Sequence, residues 1–145
     1  MSYTISKEFK FDAGHRILGF AALKEETIHG HTWKVVVRIS SDSLNDNSVI
    51  LDTNVISEKV KPFIKELDHS FIIWSKDPMH EDFINLTKKY NIYPSVVTVD
   101  FNPTIEGIAK YIYDTIVGLL KLPDGAYVSC VDVFCSSTLV GSFKP

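Results

Sequence analysis

The chain has 145 residues, 45% of them hydrophobic and 23% charged, with a formal net charge of −3. This is ample length for one domain with its own core, and the balance is that of an ordinary globular protein. No basic tract marks a nucleic-acid partner and no apolar run is long enough to span a membrane. The opening Met1-Ser2-Tyr3-Thr4 has no signal-peptide character, so the expectation is one cytoplasmic domain over residues 1–145.

Tyr3, Ile5, Phe9, Phe11 and Ala13 recur on odd positions, the period of a strand with one buried face, and a first strand is expected from Tyr3 to Ala13. His15 continues that parity just past the strand's end. A loop from Arg16 to Ile28 follows, with Gly19 and the acidic pair Glu25-Glu26. His29-Gly30-His31-Thr32-Trp33 then heads a second alternating run through Val35, Val37 and Ile39, a strand from about His31 to Ser40. His29 and His31 project from one face of it. Antiparallel pairing puts the exit of the first strand beside the entrance of the second, so His15 meets His29 and His31 at one end of a hairpin. Three imidazoles with an open fourth position describe a catalytic zinc site better than a structural one, which four protein ligands would close. Copper and nickel are less frequent occupants of such a set.

Beyond the turn at Ser41–Ser48, the apolar run Val49-Ile50-Leu51 leads to Asp52, and Asp52 or Asn54 can cap a helix that carries Val55, Ile56, Val60, Phe63, Ile64 and Leu67. Pro62 inside it should kink or break the helix. Asp68-His69 follow at its exit, either as a surface turn or as an acid–base couple in which the carboxylate fixes the imidazole tautomer. Phe71–Trp74 is apolar, and Ser75–Tyr93 is a long excursion with a short amphipathic helix at Phe83, Ile84, Leu86 and Tyr90 and an exposed His80. Pro94 ends the excursion and Val96–Val99 looks like a short strand. Asn102-Pro103-Thr104 starts a helix, with Asn102 as cap and Pro103 at its first position. It buries Ile105, Ile108, Ala109, Ile112, Ile116, Leu119 and Leu120 and stops at Lys121, Pro123 and Gly125. Tyr127–Phe134 and Thr138–Phe143 read as the last strands. Cys130 and Cys135 lie an odd number of residues apart, face opposite ways and should not bridge. The expected fold is α+β: an antiparallel four-stranded sheet with two helices on one face, whose free edges invite assembly of several subunits.

Phe11-Asp12-Ala13-Gly14-His15, His29-Gly30-His31-Thr32-Trp33, Leu67-Asp68-His69 and Asn102-Pro103-Thr104-Ile105-Glu106, in this order and spacing, resemble the motifs of the 6-pyruvoyl-tetrahydropterin synthase family, which includes the 6-carboxytetrahydropterin synthases. The resemblance implies the tunnelling fold, in which subunit sheets join into a barrel as trimers or pairs of trimers with active sites at subunit interfaces. It implies a homo-oligomer acting on 7,8-dihydroneopterin triphosphate. It further implies zinc on His15, His29 and His31, gripping the substrate's side-chain hydroxyls by Lewis acidity, and a proton relay at Asp68-His69.

Two departures from the family pattern bear on chemistry. Members that make pyruvoyl or carboxy pterins carry a cysteine base a few residues before the His-Gly-His, whereas this chain reads Lys24-Glu25-Glu26-Thr27-Ile28. That run is similar to a third branch, which cleaves the side chain to 6-hydroxymethyl-7,8-dihydropterin, a folate precursor. By that match Glu26 is the catalytic carboxylate, with Glu25 the substitute. The family also anchors the pterin with a glutamate near the end of the third main strand, and here Cys135 occupies that place in Val131-Asp132-Val133-Phe134-Cys135-Ser136. A thiol cannot accept two hydrogen bonds from the amino-pyrimidine edge as a carboxylate does, so either Glu106, with Thr104 nearby, carries that recognition or the pocket has changed its ligand.

Overall fold

The computed structural model describes residues 1–19, 23–92 and 96–145. Pro94, expected to end the long excursion, lies outside them, and so does the side chain of Glu25. In chain order the elements are β1 (Tyr3–His15), α1 (Leu23–Glu26), β2 (His29–Ser41), α2 (Thr53–Leu67), β3 (Ser70–Trp74), α3 (His80–Tyr90), β4 (Val96–Val99), α4 (Ile105–Leu119), β5 (Ala126–Phe134) and β6 (Val140–Phe143).

The α+β class holds, but the antiparallel four-stranded sheet with two helices on one face does not. The described strands form one six-stranded sheet in the order β4-β3-β1-β2-β5-β6. It is mixed: β1/β2, β2/β5 and β5/β6 are antiparallel, and β1/β3 and β3/β4 are parallel. The two strands that carry the parallel half have only five and four residues, too few for alternation to declare them. Parallel neighbours need a crossover, and α2 and α3 supply it.

β1 and β2 form the long central hairpin, and their odd residues build the core. Phe9, Phe11 and Ala13 on β1 and Trp33, Val35, Val37 and Ile39 on β2 are all buried, while the even positions of β1 stay more open. Onto this face pack Ile56, Val60, Phe63, Ile64 and Leu67 of α2 and Ile108, Ala109, Ile112 and Ile116 of α4. The third long helix departs from the expected layering. Register puts Phe71 beside Gly14, on the face turned from the core, and Phe83 of α3 stacks on Phe71 with ring centroids 4.5 Å apart. A β-carbon on Gly14 would come within 2.8 Å of the Phe71 ring, so the residue that precedes His15 has no room for a side chain.

Helix ends follow local chemistry. Asp52 caps α2 by accepting from the Asn54 N–H at 2.9 Å. α2 runs unbroken through Pro62 rather than stopping there. At α4 the cap is Thr104, which accepts from the Gly107 N–H at 3.1 Å, and not Asn102. His80 is half-buried rather than exposed, 2.9 Å from the Thr98 hydroxyl. Cys130 and Cys135 do not bridge to each other, as their parity implied.

Ile112 is fully buried where α4 meets the sheet, whereas Val117 on the same helix is 45% exposed. Ile112→Ala should therefore lower the unfolding free energy by about 2–5 kcal/mol in urea denaturation. Val117→Ala should change it by no more than about 0.5 kcal/mol.

Candidate metal centre and active site

The antiparallel register sets the three histidines together. His15 pairs directly with His29, and His31 with Ala13, so the three imidazoles share the core-facing side of one end of the hairpin. His15 is the last residue of β1 rather than lying just past it, and β2 already starts at His29. Ring centroids are 4.6 Å apart for His15–His29, 5.1 Å for His15–His31 and 5.0 Å for His29–His31. One nitrogen of each lies within 4.8 Å of the others, a spacing that one metal ion can draw together. Trp33 forms the floor, edge-on to His15 and His31, with its indole N–H donating to the Ala13 carbonyl at 3.1 Å.

Hydrogen bonds at the outer ring nitrogens orient two of the imidazoles for ligation. His15 Nδ1 lies 2.9 Å from the Pro103 carbonyl and His29 Nδ1 lies 2.8 Å from the Thr27 carbonyl. A carbonyl oxygen only accepts, so each Nδ1 carries the proton and each Nε2 presents a lone pair inward. Among the described residues the buried His15 Nε2 has no hydrogen-bond partner. An orphaned acceptor in a buried imidazole is costly unless something occupies it, and a cation fits. Burial, helped by the neighbouring His29 and His31, pushes the His15 imidazole from 6.5 down to about 4 against the raising effect of the Pro103 carbonyl, so it is neutral at neutral pH as a ligand must be.

The turn before α4 serves this site three times. Asn102 ties down the segment after His15, accepting from the Leu18 N–H at 3.0 Å and donating to the Leu18 carbonyl at 2.8 Å. Pro103 supplies the carbonyl for His15, and Thr104 caps α4. Thr104, Glu106 and Cys135 line a cavity of about 540 Å³ together with His15, His31 and Trp33. The residue in the expected anchor position thus opens onto the same space as the two expected pterin-binding residues.

The start of β3 places Asp68 and His69 beside β1. Its parallel pairing sets Ser70 beside Ala13, which brings His69 next to Asp12. The His69 N–H donates to the Asp12 carbonyl at 2.6 Å, and Asp68 Oδ1 accepts from the Asp12 N–H at 2.8 Å. Asp68 Oδ2 then lies 3.0 Å from His69 Nδ1, and His69 takes a left-handed backbone, φ 61°. The Asp12 N–H, with His69 adding to it, holds the Asp68 carboxyl below the usual carboxylate range against its slight desolvation. His69, Asp12 and His31 line a second cavity of about 500 Å³. His31 borders both cavities.

Glu26 closes the single-turn α1, three residues before His29, and its carboxylate accepts from the Gly19 N–H at 3.1 Å. It is not among the lining residues of either cavity. Arg16 was not placed in the site by sequence reasoning, and it proves to be committed. Its guanidinium grips the buried Asp77 carboxylate at 2.6 and 3.0 Å and donates to the Glu26 carbonyl at 3.0 Å. Its position directly after a candidate ligand was the only signal available for it.

A family model described as 6-pyruvoyl tetrahydropterin synthase matches residues 4–144. The chain belongs to that family. Among curated relatives, the 6-carboxy-5,6,7,8-tetrahydropterin synthase of Aquifex aeolicus is 34% identical over 128 residues, covering 79% of this chain and 78% of the relative. The protein of the same name from Haemophilus influenzae is 32% identical over 116 residues, 77% of this chain and 80% of the relative. Of the solved structures, an uncharacterized Wolinella succinogenes protein superposes with a TM-score of 0.86 at 26% identity, covering 99% of this chain and 98% of the other. The Plasmodium vivax 6-pyruvoyltetrahydropterin synthase gives 0.75 at 20% identity, over 100% and 98% of the two chains. Among the described residues no helix is long and apolar enough to cross a membrane.

Two predictions follow from the triad. Purified protein should hold one zinc per chain by elemental analysis, and His29→Ala should drop that below about a tenth, since one ligand lost from three leaves too few. The metal-free protein should lose stability as pH falls. The folded His15 titrates near 4 and the unfolded one near 6.5, so the unfolded chain takes up the proton first. The contribution is complete above about 6.5, declines between 6.5 and 4 and is gone below. Denaturation of metal-free His15→Gln across that range should show a flatter profile.

Proposed function

We propose that this protein is a zinc-dependent pterin lyase that cleaves the side chain of 7,8-dihydroneopterin triphosphate to give 6-hydroxymethyl-7,8-dihydropterin, acting as a homo-oligomer in the cytoplasm. The observation that carries this reading is the joint presence of a histidine triad oriented for a metal and a glutamate, in place of a cysteine, three residues before it. His15, His29 and His31 would hold the zinc. When bound, that ion supplies the Lewis acidity that eases loss of protons from the substrate's side-chain hydroxyls.

The remaining roles fall to the chain's own side chains. Glu106 and Thr104 bind the ring in the larger cavity, where Cys135 offers no carboxylate. Glu26 removes a side-chain hydroxyl proton. The carbon–oxygen bond then closes to a carbonyl, the carbon–carbon bond breaks, and its electron pair goes to the carbon attached to the pterin. His69, oriented by Asp68, returns a proton to that carbon. A carboxylate at this place supports cleavage because it takes an oxygen-bound proton, whereas a thiolate base serves the shuffling of carbon-bound ones. A glutamate is an attested catalytic residue in this fold: one solved structure of the Plasmodium vivax protein is a variant in which a catalytic glutamate is replaced by alanine.

The curated relatives support a second reading. Several are 6-carboxy-5,6,7,8-tetrahydropterin synthases, so the product here could be the carboxy or pyruvoyl pterin made with a substituted base. Incubation of zinc-loaded protein with 7,8-dihydroneopterin triphosphate, followed by mass spectrometry, separates the two by product. The expected product is the 6-hydroxymethyl pterin, and a carboxy or pyruvoyl product would overturn the lyase reading. No turnover with zinc present would point to a pterin- or purine-binding homologue. Glu26→Gln should abolish hydroxymethyl formation while leaving zinc content unchanged, and retained turnover would remove Glu26 from the mechanism.

A further inference from the structure

We propose that Asp77, in the connection between β3 and α3, is a positioning residue that sets the place of Glu26 through Arg16; this rests on the catalytic reading of Glu26. The α1 helix is a single turn, and around its half-buried Glu26 the side chains of Lys24, Thr27 and Ile28 are exposed, Ile28 by 57%. Polar ties hold this segment, among them the Gly19 N–H on the Glu26 carboxylate. Two others act on consecutive main-chain carbonyls. The Glu26 carbonyl accepts from Arg16, and the Thr27 carbonyl accepts from His29.

Both donors are referenced to the metal triad. His29 belongs to it, and Arg16 directly follows His15. The His29 ring is oriented by its place on a long strand. The Arg16 side chain, 13% exposed, is held by Asp77. The carboxylate of Asp77 is 1% exposed and takes Nε and Nη2 of Arg16 in a two-pronged grip, leaving Nη1 to reach Glu26. Asp77 is itself fixed, since its Oδ1 accepts from the Met79 N–H at 2.8 Å and its main chain bonds to Trp74 and His80.

A buried ion pair of this kind adds little net stability relative to an apolar pair of the same size, because desolvation offsets the attraction. What it supplies is geometry: a planar, two-pronged contact that aims the third guanidinium nitrogen. The start of the long segment between β3 and β4 therefore acts on the loop between β1 and β2, 61 residues away in the chain. A catalytic group displaced by about 1 Å can lose about 100-fold in rate, so such a tether matters to turnover even though Asp77 touches no reacting atom.

Hydrogen exchange and kinetics on the zinc-loaded protein test this together. In Asp77→Asn, amides of residues 23–28 should lose protection while those of β2 and β5 keep theirs. kcat should fall by about 10- to 100-fold at unchanged KM and zinc content. Asp77→Glu should recover part of the loss. If Asp77→Asn fails to fold, the double variant Arg16→Met with Asp77→Leu keeps a packed pair without the tether and should show the same selective loosening and the same fall in kcat. Unchanged protection at 23–28 overturns the tether, and loosening without loss of kcat overturns the positioning role. Should Glu26→Gln keep full turnover, the catalytic reading of Glu26 falls separately, and the exchange data still decide whether Asp77 holds the segment.

Discussion

The pairing register of β1 with β2 is the constraint on which the rest of the site depends. With His15 opposite His29 and Ala13 opposite His31, three imidazoles meet on one face; a slip of one residue would send His29 and His31 to the other face and bury the polar side of the hairpin. The register is held by the core itself. Phe9, Phe11, Ala13, Trp33, Val35, Val37 and Ile39 all need the helix-covered face, and the histidines occupy the last positions of that same series. The energy that aligns the metal ligands is thus hydrophobic burial along the whole hairpin, spent some distance from the ligands.

Around the triad the chain uses main-chain carbonyls, rather than carboxylates, to choose tautomers. Pro103 and Thr27 provide them for His15 and His29. Both belong to irregular segments, which are free to aim a carbonyl that a helix or strand would consume. The same logic governs Asp68 and His69, where the exposed main chain of Asp12 fixes the pair from the neighbouring strand. Each of these polar contacts is placed by a packed element nearby: α4 carries Pro103 into position, and β3 carries His69.

Much of this was legible beforehand, for reasons that differ by element. Long alternation identifies β1 and β2, and the helical periods of α2 and α4 are strong because each buries one broad face. The triad was readable because parity and antiparallel geometry act over two residues at a time. The parallel half of the sheet was not, since β3 and β4 are too short to show a period. The role of Asn102 was misjudged for a related reason. Asn, Pro and Thr in a row all suit a helix start, and which one caps depends on where the chain arrives from; here Asn102 is drawn away by Leu18. The buried ion pair of Arg16 with Asp77 leaves no local trace in either segment.

The sequence by itself determined the two central strands, the two covering helices, the family and the meeting of the three histidines, because these follow from patterns repeated along the chain or from motifs in fixed order. Only the tertiary structure decided which residues meet across it: that parallel pairing of β3 carries His69 beside Asp12, that Thr104, Glu106 and Cys135 open on one cavity, and that Asp77 reaches back to the segment of Glu26. Contacts between distant segments depend on how helices and short strands return the chain through space, and no local period records that path.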